Sequence, residues 1–147
     1  MFFQLCIRAI GNGDDPNHRS HWGFIFYTPG EDYGDLYHVQ VIDLPRLWYQ
    51  ADTRQAVNIK EQQAVGMCRI ALLDTRLRAH AVQVIQGEPA PRDGKSRCQD
   101  WTVQVLISLE AEELVEPGTA ETWSKRVGMK AKDLAEDCGN DWIVLCD

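Results

Sequence analysis

Alternating apolar and polar positions mark the first half of the chain as β-rich. Phe3 to Ile10 reads as a first strand, ended by the turn-forming run Gly11-Asn12-Gly13-Asp14-Asp15-Pro16-Asn17. His21 to Tyr27 reads as a second strand and Leu36 to Ile42 as a third. The Pro/Gly turn around Thr28 to Gly34 makes them an antiparallel hairpin. Pro45 to Lys60 shows no clear period and is expected to be irregular or partly helical. Val65 to Leu73 reads as a fourth strand.

The period then changes from two to between three and four. Asp74 is placed to cap a helix with the apolar stripe Leu77, Ala81, Val84 and Ile85, ending near Gly87. Two prolines and a glycine make Glu88 to Lys95 a loop. Ser96-Arg97-Cys98-Gln99 fits a capping box, with Ser96 as N-cap and Gln99 at the third helical position. The helix it opens, Arg97 to Leu114, aligns Cys98, Trp101, Thr102, Val105, Leu106 and Leu109 on one face. It is expected to pack against the strands that carry His21 and His38. A third helix is expected from Ala120 to Leu134, stopped by Gly139, and a short last strand within Asp141 to Cys146. The pattern gives one α+β domain over residues 1–147, an antiparallel sheet packed against helices.

Composition narrows the function. The 147 residues are 44% hydrophobic with five Trp, which suits a packed globular domain. The net charge of -7 argues against nucleic-acid or anionic-membrane partners, which require concentrated Lys and Arg. Five cysteines without a CxxC pair fit neither a disulfide framework nor a zinc ribbon, so reduced thiols and a cytoplasmic setting are expected. No run approaches a membrane span, and the N-terminal segment, broken by Arg8, reads as a strand and not a signal peptide.

Cys98 is the candidate nucleophile. Unpaired N–H groups and the positive end of the dipole occupy the first turn of a helix, and both favour a thiolate. The same N–H groups can stabilise an oxyanion. A buried cysteine facing the core is the structural alternative, since Cys98 is in line with Trp101 and Val105. His21 and His38 fall on adjacent strands of one hairpin. A simple register makes them diagonal neighbours, with His38 opposite Ile25. Trp22, Trp101 and Gln99, next to these residues, are candidate pocket walls for substrate. His18-x-x-His21 lacks a second close ligand pair, so no metal and no cofactor are expected. His80, on the apolar side of its helix, reads as a half-buried packing residue.

The strings His21-Trp22-Gly23-Phe24-Ile25-Phe26-Tyr27, Leu36-Tyr37-His38-Val39 and Cys98-Gln99-Asp100-Trp101-Thr102 resemble the permuted NlpC-type papain-like superfamily. The nearest pattern is its lecithin:retinol acyltransferase-like branch. The resemblance departs at Arg97 and at Gln99-Asp100-Trp101, where that branch has Asn before its Cys and Glu-His after it. It implies a circularly permuted papain-like fold, Cys98 as nucleophile, His21 as general base and His38 as the group that orients His21. The expected activity is hydrolysis or acyl transfer on an amide, ester or thioester of a small molecule or peptide. The alternatives are a non-catalytic binding or scaffold domain of the same fold, and a small cyclase or isomerase using the same pocket.

Overall fold

A computed structural model describes residues 1–15, 17–61 and 63–145. Five strands come first: β1 (Phe2–Ile10), β2 (His21–Tyr27), β3 (Tyr33–Asp43), β4 (Trp48–Asn58) and β5 (Ala64–Asp74). Helices α1 (Thr75–Gly87), α2 (Cys98–Ala111), α3 (Thr119–Ser124) and α4 (Ala131–Cys138) follow. A 3-10 turn, Gly139–Asp141, leads into β6 (Trp142–Val144). The strands form one antiparallel sheet in the order β4-β3-β2-β1-β5-β6. The architecture is α+β. No helix among the described residues is long and apolar enough to cross a membrane.

Period-two alternation divides the sheet into two buried faces. Leu5, Ile7 and Ala9 of β1, Trp22, Phe24 and Phe26 of β2, and Tyr37 and Val39 of β3 pack against the helices. Trp101, Val105, Leu106 and Leu109 of α2 meet them there. Cys6, Ile25, Leu36, Val57, Ile59, Ala64, Met67 and Leu145 form a second cluster. β1 lies between β2 and β5 and is buried along most of its length, which accounts for its nearly continuous apolar run.

Three expectations are corrected. The segment expected to be irregular contains the eleven-residue strand β4, hydrogen-bonded to β3 at the sheet edge. Only Tyr49 and Val57 of β4 are buried, so its alternation carries little apolar signal. The third helix is broken into α3 and α4. Gly128, at φ 85, takes a left-handed conformation between them, and its N–H donates to Gln99 Oε1 at 2.8 Å. The capping box is displaced by one residue: Arg97 is the N-cap, and its backbone N–H donates to Asp100 Oδ2 at 2.8 Å. Ser96 instead bonds to Asp93, through its N–H at 2.8 Å and its hydroxyl at 2.9 Å. Asp74 does cap α1, accepting from the Leu77 N–H at 2.8 Å. Cys146 lies outside the described residues.

One irregularity positions the site. β2 pairs with β1 along its whole length, from Gln4↔Tyr27 to Ile10↔His21. Its ladder with β3 runs only from Phe26↔Asp35 to Phe24↔Tyr37. Beyond that point His21, Trp22 and Gly23 have no β3 partner in the ladder. The N-terminus of α2 meets the sheet at the start of β2, outside the β2–β3 ladder: Gln99 Nε2 donates to Ser20 O at 2.9 Å.

Candidate functional site

Cys98 is the first residue of α2, and the backbone N–H groups of Trp22 and Gln99 face its sulfur. Burial nevertheless pushes the Cys98 thiol above its ordinary value, and those two N–H groups offset only part of the shift. The expectation of a thiol lowered by its helix terminus is therefore corrected: desolvation outweighs the helix end, and the resting species is the neutral thiol.

His21 and His38 are brought together. Continuing the β2–β3 register past Phe24↔Tyr37 sets His38 opposite Gly23, not the expected Ile25, and diagonal to His21. Gly23 permits the approach, because a Cβ built there would lie 3.2 Å from His38 Cβ and 2.9 Å from a Leu36 methyl. His21 Nε2 and His38 Nδ1 are 2.7 Å apart, with the rings edge to face. His38 Nε2 is 2.8 Å from Asp52 Oδ2, and the same oxygen accepts from Arg54 Nε at 2.9 Å.

This line fixes the proton positions. The hydrogen bond from His38, aided by Arg54, holds the Asp52 carboxyl below its usual range, so Asp52 is ionised and can only accept. His38 must then donate from Nε2. A neutral His38 accepts at Nδ1, and His21 donates from Nε2. The lone pair of His21 therefore lies on Nδ1. Both imidazoles are neutral near pH 7. Burial, the His38 charge and the Arg8 charge lower His21 to about 4. Burial also lowers His38, against the opposing pull of Asp52.

His21, His38 and Cys98 line one cavity of about 490 Å³. Among the described residues no hydrogen bond joins Cys98 Sγ to His21. Sulfur–imidazole pairs are often loose without substrate and tighten when it binds. Arg8 and Ile10 of β1, Tyr49 and Arg54 of β4, Arg19 and Glu61 complete much of the wall.

The three expected pocket walls lie elsewhere. Trp22 is buried against Trp123, and Trp101 against Phe24, both edge to face. Gln99 is wholly buried, and both ends of its amide are used, on Ser20 O and the Gly128 N–H. None of the three lines the cavity. They hold α2 and its first turn in place. His18 is exposed and paired with Asp15 at 2.9 Å, and His80 is 3.7 Å from Glu112. No group of three His, Cys, Asp or Glu residues among those described is arranged to hold a metal ion.

Asp52, Arg8 and Tyr49 were missed by sequence reasoning. The alternation Gln50, Asp52, Arg54 against Tyr49, Ala51, Thr53 was the available signal for Asp52, since a strand there sets Asp52 opposite His38.

The site therefore combines, on an antiparallel α+β domain, a cysteine at a helix start and two histidines in one cavity, with Asp52 hydrogen-bonded to His38 from outside its lining. The chain belongs to a family of unknown function, DUF6540, whose model matches residues 9–116, a span that includes His21, His38, Asp52 and Cys98. No curated protein and no solved structure matches the chain significantly.

Proposed function

We propose that this protein is a cysteine-dependent hydrolase or acyltransferase with a circularly permuted papain-like fold. Its substrate is an amide, ester or thioester of a small molecule or peptide, and its setting is the reducing cytoplasm. The observation that carries the reading is the His21–His38–Asp52 line, which leaves His21 Nδ1 as a base in the cavity that also holds Cys98.

The chemistry follows from the resting protonation states. Cys98 Sγ attacks the substrate carbonyl carbon as its proton passes to His21 Nδ1. The charge that gathers on His21 is stabilised through His38 by Asp52. The tetrahedral intermediate collapses when His21 returns the proton to the leaving amine, alcohol or thiol. An acyl thioester remains on Cys98. His21 then deprotonates water, for hydrolysis, or an acceptor amine or alcohol, for transfer, as its oxygen or nitrogen attacks the acyl carbon; the C–S bond breaks, and His21 returns the proton to the Cys98 sulfur. Backbone N–H groups at the start of α2 are suited to the developing oxyanion.

The raised Cys98 thiol and the missing Cys98–His21 hydrogen bond favour a second reading, a non-catalytic binding domain of the same fold. Incubation with 4-nitrophenyl acetate, followed by intact-mass and peptide mapping, separates the two. Catalysis requires one acetyl group on Cys98, formed faster than on free cysteine and lost in Cys98→Ser and His21→Ala. Acetylation no faster than on free cysteine would leave only the binding reading.

A further inference from the structure

The row of residues that crosses the sheet at the cavity contains a charge the proposed chemistry does not use. Arg8 of β1 pairs with Gly23 of β2, Gly23 lies against His38 of β3, and His38 pairs with Asp52 of β4. Gly23 contributes no side chain to this row, and Arg8, His21 and His38 line the same cavity together with Leu36.

Arg8 is buried to 2% exposure yet lines the cavity. Its Nη1 donates to the carbonyls of Ile59 at 3.1 Å and Asn58 at 3.4 Å. Its Nε is buried without a partner, and no carboxylate among the described residues lies within ion-pair distance. A buried guanidinium with an unused donor is costly unless a ligand completes it. The lining holds three cations, Arg8, Arg19 and Arg54, and one anion, Glu61; Arg19 lies 3.7 Å from Asp100 and Arg54 2.9 Å from Asp52, which leaves Arg8 as the lining arginine without a carboxylate partner among the described residues.

We infer that Arg8 is an anion-recognition residue of this cavity and that the acyl substrate carries a carboxylate, bound at Arg8 while its reacting carbonyl meets Cys98. This deepens the proposed acyl chemistry and rests on it for the word substrate. The recognition of a carboxylate does not. A single negative charge is favoured over a phosphate dianion, because Glu61 in the wall and Asp52 at the end of the row already offset much of the positive charge. The acid released by hydrolysis of such an acyl group is a dicarboxylate, with one carboxylate at Arg8 and the new one beside Cys98.

The test is calorimetric titration of the full chain with succinate, glutarate and adipate, and with the matching neutral diamides at equal ionic strength. At least one dicarboxylate is expected to bind about tenfold or more tightly than its diamide, the scale of one charge-assisted hydrogen bond. The preference should persist in Cys98→Ser and vanish in Arg8→Gln. If Arg8→Gln does not fold, Arg8→Lys keeps the charge without the planar fork and should weaken the preference. No dicarboxylate preferred over its diamide, or a preference unchanged by the Arg8 substitutions, overturns the inference. Selective dicarboxylate binding without acylation of Cys98 would sink the catalytic reading alone.

Discussion

His38 and Asp52 face each other directly across the β3–β4 ladder, with Nε2 2.8 Å from the carboxylate. That contact orders every proton further along the line. Replacing the acceptor-only carboxylate with an amide removes the order, because the amide nitrogen can donate to His38 and reverse both tautomers. Asp52→Asn should fold like the wild type and lower the rate of Cys98 acylation by about 100-fold or more, mainly in kcat. A steady-state comparison at matched substrate measures it, and an unchanged kcat would separate Asp52 from the chemistry.

Gly23→Ala tests the glycine between the histidines. The added methyl would meet Leu36 and His38 at 2.9 and 3.2 Å, and one neighbour must move. The expected cost is about 1–3 kcal/mol of stability, read by urea denaturation, as for other overpacked sites. Acylation should fall further than the stability loss explains, since His38 carries the line to His21.

His21 makes stability depend on pH. Its folded value of about 4 lies below the ordinary 6.5, so the unfolded chain binds the proton more readily. Stability is complete above about 6.5 and declines as the pH falls through the window down to about 4, by roughly 3 kcal/mol in total, at 1.36 kcal/mol per unit. Denaturation midpoints measured across that window should fall, and His21→Gln should remove most of the slope. A wild-type slope matched by the variant would place the titration elsewhere.

Gln99→Leu should destabilise the fold by about 1–3 kcal/mol for each buried group it strands, here the Ser20 carbonyl and the Gly128 N–H. Thermal melts measure the loss. Acylation of the remaining folded protein should also slow, because α2 loses its tie to the start of β2.

Much of this site was legible in the residue pattern. The aromatic-rich strand at His21, the hairpin partner at His38 and the helix-start signals near Cys98 are local features, and local features survive in a one-dimensional pattern. Asp52 carried only a faint signal, because its strand forms the sheet edge and buries only two side chains, so polar residues on both faces weaken its period. The direction of the Cys98 shift was not legible. A helix terminus can be read from spacing, but the desolvation that outweighs it is produced by the tertiary fold. The break between α3 and α4 turns on one glycine whose N–H is held by Gln99, a contact 29 positions away.

The end of the β2–β3 ladder at Phe24 and Tyr37 has an evolutionary consequence. Fold and selectivity rest on different rows of the same sheet. The β1–β2 and β1–β5 ladders keep the scaffold intact, while the exposed Gln40 and Val41 line the cavity as replaceable teeth. Descendants of this chain can exchange those teeth for others, and so change which molecule enters, without rebuilding the frame that aligns the histidines.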